Sequence, residues 1–186
     1  VNAYVARMKS TERRQAVVAA AIGCFAQKGF YGTTTHEIAE LVGISQPYLY
    51  RLYSNKEALF AAAVDHVSVV MADTLVSHSR DMRNGRVAFD NVRRAYATLV
   101  ADRTILRFLM QANCAVGEPL VGEAVRRCYA KQVDIVRRML GNDDAAVRRW
   151  FGAGMLDNVV AVLGLADIDE PWARILSARE GGLPGS

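Results

Sequence analysis

A helix, a single glycine and a second helix fit within residues 34–53, and this unit constrains the chain more than any other stretch. Thr34 and Glu37 have the spacing of a capping box, in which the threonine hydroxyl takes a free amide and the carboxylate reaches back to the cap. The helix that follows carries an apolar stripe of Ile38, Leu41 and Val42, with Ala39 small enough for a second helix to cross closely. Gly43 predicts a left-handed cap that stops it. Ser45 can cap the next helix at once, and Pro47 is tolerated because first-turn amides have no intrahelical partner to lose. The connection through Gly43, Ile44 and Ser45 has the three- to four-residue length of a helix-turn-helix turn.

On the second helix Leu49, Leu52 and Tyr53 share one arc, Gln46, Pro47, Tyr50 and Arg51 share the opposite one, and Tyr48 sits at the margin. The first arc packs on Ile38 and Val42. The second exposes an amide, a phenol and a guanidinium, which are groups that read DNA: Gln on an adenine edge, Arg on guanine or phosphate, Tyr on phosphate and the thymine methyl. A polar helical hairpin on an unrelated α-protein shows the same local pattern, so the flanking sequence decides.

The flanks are Phe25-Ala26-Gln27-Lys28-Gly29-Phe30, the Thr33-Thr34-Thr35 run, and Tyr50-Arg51-Leu52-Tyr53-Ser54-Asn55-Lys56-Glu57-Ala58-Leu59-Phe60. Together with the hairpin they resemble the DNA-binding domain of the tetracycline-repressor (TetR) family. The resemblance is dense over residues 10–60 and is one of architecture beyond them. It implies base or phosphate contacts for Thr35, Gln46, Pro47, Tyr48, Tyr50 and Lys56, and Thr34 and Arg51 complete the expected DNA-binding set. Many family members carry a small residue where Tyr48 stands, which implies a shifted half-site geometry here.

Charge agrees with this reading. The first sixty residues hold seven Lys and Arg against four Glu, most of the net charge of +4 in the whole chain, as expected beside a nucleic-acid-reading helix. Arg7, Lys9, Arg13 and Arg14 read either as an arm along the DNA backbone or as a solvated tail. Cys24, Cys114 and Cys128 are odd in number and widely spaced, which reads as three buried free thiols. The longest apolar run, residues 16–26, is too short to span a bilayer, and no leader pattern opens the sequence. The expected setting is a reducing cytoplasm without membrane attachment.

With 52% apolar residues, the 186-residue chain can bury a substantial core. The expected fold class is all-α: an N-terminal three-helix DNA-binding domain with the helix-turn-helix, residues 1–55, and a C-terminal helical ligand-binding and dimerisation domain, residues 56–186. A packing helix runs from Thr11 to Gly29. Ser54 to Glu57 reads as a second capping box that starts a long helix over 56–79, with Val64, Val67, Val70, Met71 and Leu75 turned to the second domain. Further helices are predicted over 87–101, 104–116, 120–140, 145–163 and 171–178. No strand pattern occurs.

Catalytic and metal chemistry find no support. His36-Glu37 with Glu40 lacks the second histidine of a metalloprotease helix. His66 and His78 do not converge with Asp65 and Asp73. Gly152-Ala153-Gly154 has neither the preceding strand nor the third glycine of a dinucleotide loop. The expectation is no enzyme, no cofactor and no metal.

The helix over 145–163 is apolar nearly all round. Val147, Phe151, Met155, Val159 and Leu163 line one side, and Trp150, Gly154, Asp157 and Ala161 the other. Such a helix needs two partners, and the second set is the expected homodimer interface, although a central core helix of a monomer has the same pattern. The family resemblance implies dimerisation through the last two long helices as a four-helix bundle. Met82, Phe89, Tyr96, Phe108, Met110, Cys114, Tyr129, Phe151 and Met155 are bulky or polarisable residues able to surround a cavity, and Gln111, Asn113 and Asn158 are polar residues in apolar helices that need a partner if buried. The resulting expectation is a dimeric repressor that binds a palindromic double-stranded operator and releases it when a small, mainly apolar effector enters the second domain. The alternative is a DNA-binding dimer without small-molecule control, or one controlled by a protein partner.

Overall fold

The computed structural model describes residues 10–77, 94, 96–98 and 101–178, all in helices and their connections. The first helix, α1 (Ser10–Gly32), buries Val17, Val18, Ala21, Ile22 and Phe25 along one stripe. Its predicted end at Gly29 is a real break, with φ 69° and ψ −178°, but the chain makes a further turn to Gly32. The helix-turn-helix follows as α2 (Thr35–Val42) and α3 (Gln46–Leu52). Thr34 and Glu37 form the expected box in both directions, and Gly43 closes α2 at φ 71°. Ser45 accepts from the Tyr48 amide at the start of α3. One member of the α2 stripe is misplaced by its periodicity, since Leu41 is 70% exposed while Ile38 and Ala39 are buried.

The long helix α4 (Lys56–Ser77) is capped one residue later than expected: Asn55, not Ser54, accepts from the Ala58 amide. It is long and apolar enough to cross a membrane, but half of its most apolar window is buried, and it packs along α6 as a core helix. Arg94 and residues 96–98 are helical; most of the helix expected over 87–101, with Met82 and Phe89, lies outside the described residues. Then come α5 (Arg103–Cys114), α6 (Pro119–Met139), α7 (Asp144–Leu163), a 3₁₀ turn (Leu165–Asp167) and α8 (Pro171–Ser177). Asp102 and Asp143 cap α5 and α7, and left-handed Gly164 ends α7.

One core runs through both halves. Phe60 of α4 packs between Phe25 of α1, 4.5 Å away between ring centroids, and Phe108 of α5, 5.1 Å away. All three rings are fully buried. The helix-turn-helix is therefore mounted on helices whose far sides belong to the C-terminal half.

Candidate DNA-reading face and ligand cavity

On the helix-turn-helix, buried Leu49 and Leu52 turn the opposite arc of α3 outward, with Pro47, Tyr50 and Arg51 exposed. The Thr35 hydroxyl is the hub of this surface: it accepts from Gln46 Nε2 at 2.8 Å and lies 2.9 Å from the Tyr50 hydroxyl. Three groups of the expected DNA-binding set are thus held together across the two helices. Thr34 is exposed and its hydroxyl caps α2. Glu37 also pairs with Lys28. The Lys28 ammonium, then the Thr34 amide and hydroxyl, hold the Glu37 carboxyl down at about 2.

Three members of that set are placed differently. Thr35 is only 5% exposed and lies beneath Gln46 and Tyr50 as their brace. Tyr48 is half-buried and turned back on α1, its hydroxyl accepting from Arg13 Nη1 at 3.0 Å. Arg14 donates to the Leu52 carbonyl at 2.7 Å and lies over the Tyr53 ring. Both arginines therefore fasten α1 to α3, while Arg7 and Lys9 of the expected arm lie outside the described residues. Lys56 also faces inward: its ammonium donates to the carbonyls of Phe30, at 2.8 Å, and Thr33, at 3.3 Å, and sits 4.4 Å from the Phe30 ring centre. The reason is local. The end of α1 leaves carbonyls without helical donors, and a lysine at the start of α4 lies within reach of them.

In the C-terminal half, α4, α5, α6, α7 and Tyr96 enclose a cavity of about 280 Å³. Eight of the residues expected there line it: Tyr96, Met110, Asn113, Cys114, Tyr129, Phe151, Met155 and Asn158. Of the others, Met82 and Phe89 lie outside the described residues, and two do not line it. Phe108 is consumed by the core with Phe60. The Gln111 side chain lies against Gly29, where a Cβ would come within 2.6 Å of its Oε1. Val64 and Met71 of α4, and Gln132 of α6, were not expected in the wall. Among the described residues, no Lys, Arg, Asp or Glu lines the cavity. Tyr96 donates to Asn158 Oδ1 at 2.8 Å, and burial pushes its phenol up to about 12, so it is neutral. Of the cysteines expected to be buried, only Cys128 is; Cys24 is half-buried and Cys114 exposed.

The proposed dimer face is also reversed in part. Trp150 is 4% exposed and Gly154 is buried against the Tyr96 ring, both lining the cavity, and Ala161 packs on the same core. Asp157 is half-buried. The arc that faces outward is instead Leu156 and Leu163, with Met155 and Val159 at its margin, exposed in part while also lining the cavity. Periodicity shows that α7 has two apolar sides without showing which is turned inward.

A helix-turn-helix with a polar outer arc is carried on a helical body whose cavity, among the described residues, has no charged side chain in its lining. Residues 17–63 match the domain described as bacterial regulatory proteins, tetR family. The transcriptional activator FasR of Mycolicibacterium smegmatis is 30% identical over 161 residues, covering 81% of this chain and 70% of FasR. The regulator RutR of Escherichia coli K12 is 38% identical over 55 residues, 30% of this chain and only 26% of RutR, so the chain matches about a quarter of that relative's length. A solved transcriptional regulator from Pseudomonas aeruginosa PAO1 superposes with a TM-score of 0.68 at 19% identity, over 92% of this chain and 88% of that one. The chain belongs to the TetR family.

Proposed function

We propose that the protein is a homodimeric, cytoplasmic transcriptional repressor that binds a palindromic operator and leaves it when a small, neutral, mainly apolar molecule occupies the cavity. Residues 1–55 serve DNA binding, and residues 56–186 bind effector and dimerise. One observation carries the reading: α4 begins beside the recognition helix at Lys56 and reaches the cavity wall at Val64 and Met71. A molecule between α4 and the helices facing it favours whichever tilt of α4 enlarges its contacts. That shift moves the recognition helices of a dimer away from the spacing of successive major grooves. Thr34, Gln46, Pro47, Tyr50 and Arg51 form the DNA face, and Thr35 and Tyr48 support it from beneath.

The outer arc of α7, with Trp172 and Ile175 exposed on α8, is the proposed dimer surface. Leu163→Arg places a charge there without touching the cavity lining, so it should yield monomers and weaken operator binding. An intact dimer in sedimentation would remove this surface. Selection of bound sequences from a random DNA pool should return a two-fold palindrome. Neutral apolar compounds that raise the melting temperature should lower affinity for that palindrome, and Cys114→Trp, which fills the cavity, should abolish the response while leaving operator binding intact. Compounds that stabilise the protein without changing operator affinity would refute effector release.

A further inference from the structure

Two side chains of the C-terminal half reach across to the end of α1. Glu118 stands at the N-cap of α6 but makes no capping bond to its own helix. Its carboxylate instead accepts from the Tyr31 hydroxyl at 2.9 Å. Tyr31 is 71% exposed, so burial does not account for where its ring stands. The ring lies edge-on to Phe30, 5.2 Å away between centroids, and the Phe30 carbonyl takes the ammonium of Lys56 at the start of α4. Just before it, Gly29 holds φ 69° and ψ −178°, a combination that is essentially glycine's alone. A Cβ there would come within 2.6 Å of Gln111 Oε1, so the Gln111 amide of α5 occupies the space a side chain would take. The glycine that in sequence reads as the end of the helix is a break within it and the seat of a side chain from the other half.

We infer that the Tyr31–Glu118 bond and the Gln111–Gly29 contact are positioning devices for operator binding. They fix the angle of the helix-turn-helix on the C-terminal half, and with it the half-site spacing that a dimer accepts, without touching DNA. This rests on the dimeric, palindrome-binding reading and deepens it. The rings that join the halves, Phe25, Phe60 and Phe108, make an apolar contact, which is non-directional, and packed helices can slide past one another by small amounts. A hydrogen bond has a direction, and a side chain seated on bare backbone admits one register. Both contacts converge on residues 29–31, the segment that leads into α2 through Thr33, whose hydroxyl donates back to the Gly29 carbonyl at 2.8 Å. An angular change there is carried to α2 and α3. A dimer doubles it, because its two recognition helices are related by a two-fold axis.

The operator selected from a random pool tests this when one base pair is inserted at its centre, which moves one half-site by about 3.4 Å and about 35°. Wild type should bind the selected spacing at least about tenfold more tightly, because the lengthened site seats only one recognition helix fully. Tyr31→Phe and Glu118→Ala should each reduce that ratio by about threefold, near the lower end for one hydrogen bond. The two together should reduce it no further than either alone, and Glu118→Gln, which keeps an acceptor, should retain the wild-type ratio. Gln111→Ala should lower the ratio independently, while Tyr31→Phe should leave binding to an isolated half-site unchanged. An unchanged ratio in Tyr31→Phe, or a half-site weakened as much as the full operator, would overturn the inference. Tyr31→Phe removes one exposed oxygen, so this arm stands even if Gln111→Ala does not fold. Wild type that binds both spacings equally would overturn it as well, by removing the palindrome reading beneath it; wild-type selectivity that survives every variant defeats the positioning role alone.

Discussion

Replacing Lys56 by Met separates two roles that a lysine beside a recognition helix can have. Methionine keeps the apolar stem against Phe30 and deletes only the ammonium. In the folded chain that ammonium serves the Phe30 carbonyl at 2.8 Å and the Thr33 carbonyl at 3.3 Å, above the Phe30 ring. A hydrogen bond from a charged group contributes about 1.5–3 kcal/mol. The second is long, the side chain is half-exposed, and a cation over a ring adds about 0.5–1 kcal/mol at such a site, so the expected loss is about 2–3 kcal/mol. Urea denaturation should show this as a lower midpoint with an unchanged slope. Operator binding titrated against salt should keep its slope, because no phosphate contact is lost. A lysine acting on phosphate gives the opposite result: stability unchanged, and a slope of log K against log salt reduced by about 0.9 for each contact removed. That second outcome would refute the inward role assigned to Lys56.

Glu37→Gln should cost stability only where the wild-type carboxyl is ionised. Its folded value is depressed to about 2, so its contribution is present above the unfolded value of about 4.3 and disappears as pH falls toward 2; melting curves of the two proteins should converge across that window, and a constant gap would refute the ionic role. Gly29→Ala should destabilise by about 1–3 kcal/mol through the φ of 69°, and Gln111→Ala in the same chain should recover only the part due to crowding; full recovery in denaturation would show that the backbone is unstrained. Gln46→Ala should relax base preference at one position per half-site and weaken the selected operator by about 1–3 kcal/mol. An unchanged selected sequence and affinity would show that Gln46 only braces Thr35.

The helix-turn-helix was legible because its signals are local. Thr34, Glu37, Gly43, Ser45 and Pro47 act within a few residues, and the structure uses each as its chemistry predicts. The misplacements arise where several local solutions compete or a distant partner decides. Ser54 and Asn55 can both cap α4, and the asparagine does so. Lys56 and Tyr48 look equally suited to DNA in sequence. Their ends are claimed by the carbonyls of Phe30 and Thr33 at the end of α1 and by Arg13, partners 23 to 35 positions away.

The cavity was legible from the residues that could line it, and less so from those that must. Met and aromatic positions on α5, α6 and α7 pointed toward it, yet Phe108 has the same composition signal and is spent on Phe60. The wall supplied by α4 could not be inferred from that helix alone, because Val64 and Met71 sit in a stripe that reads as ordinary core. Gln132 was hidden for a related reason. On a surface-rich helix a glutamine is unremarkable among charged neighbours, and only the approach of the Ser68 carbonyl takes its donor and leaves its acceptor bare. Sequence periodicity therefore places side chains on faces, while which half of the Gln132 amide is bonded is decided by the approach of a second helix.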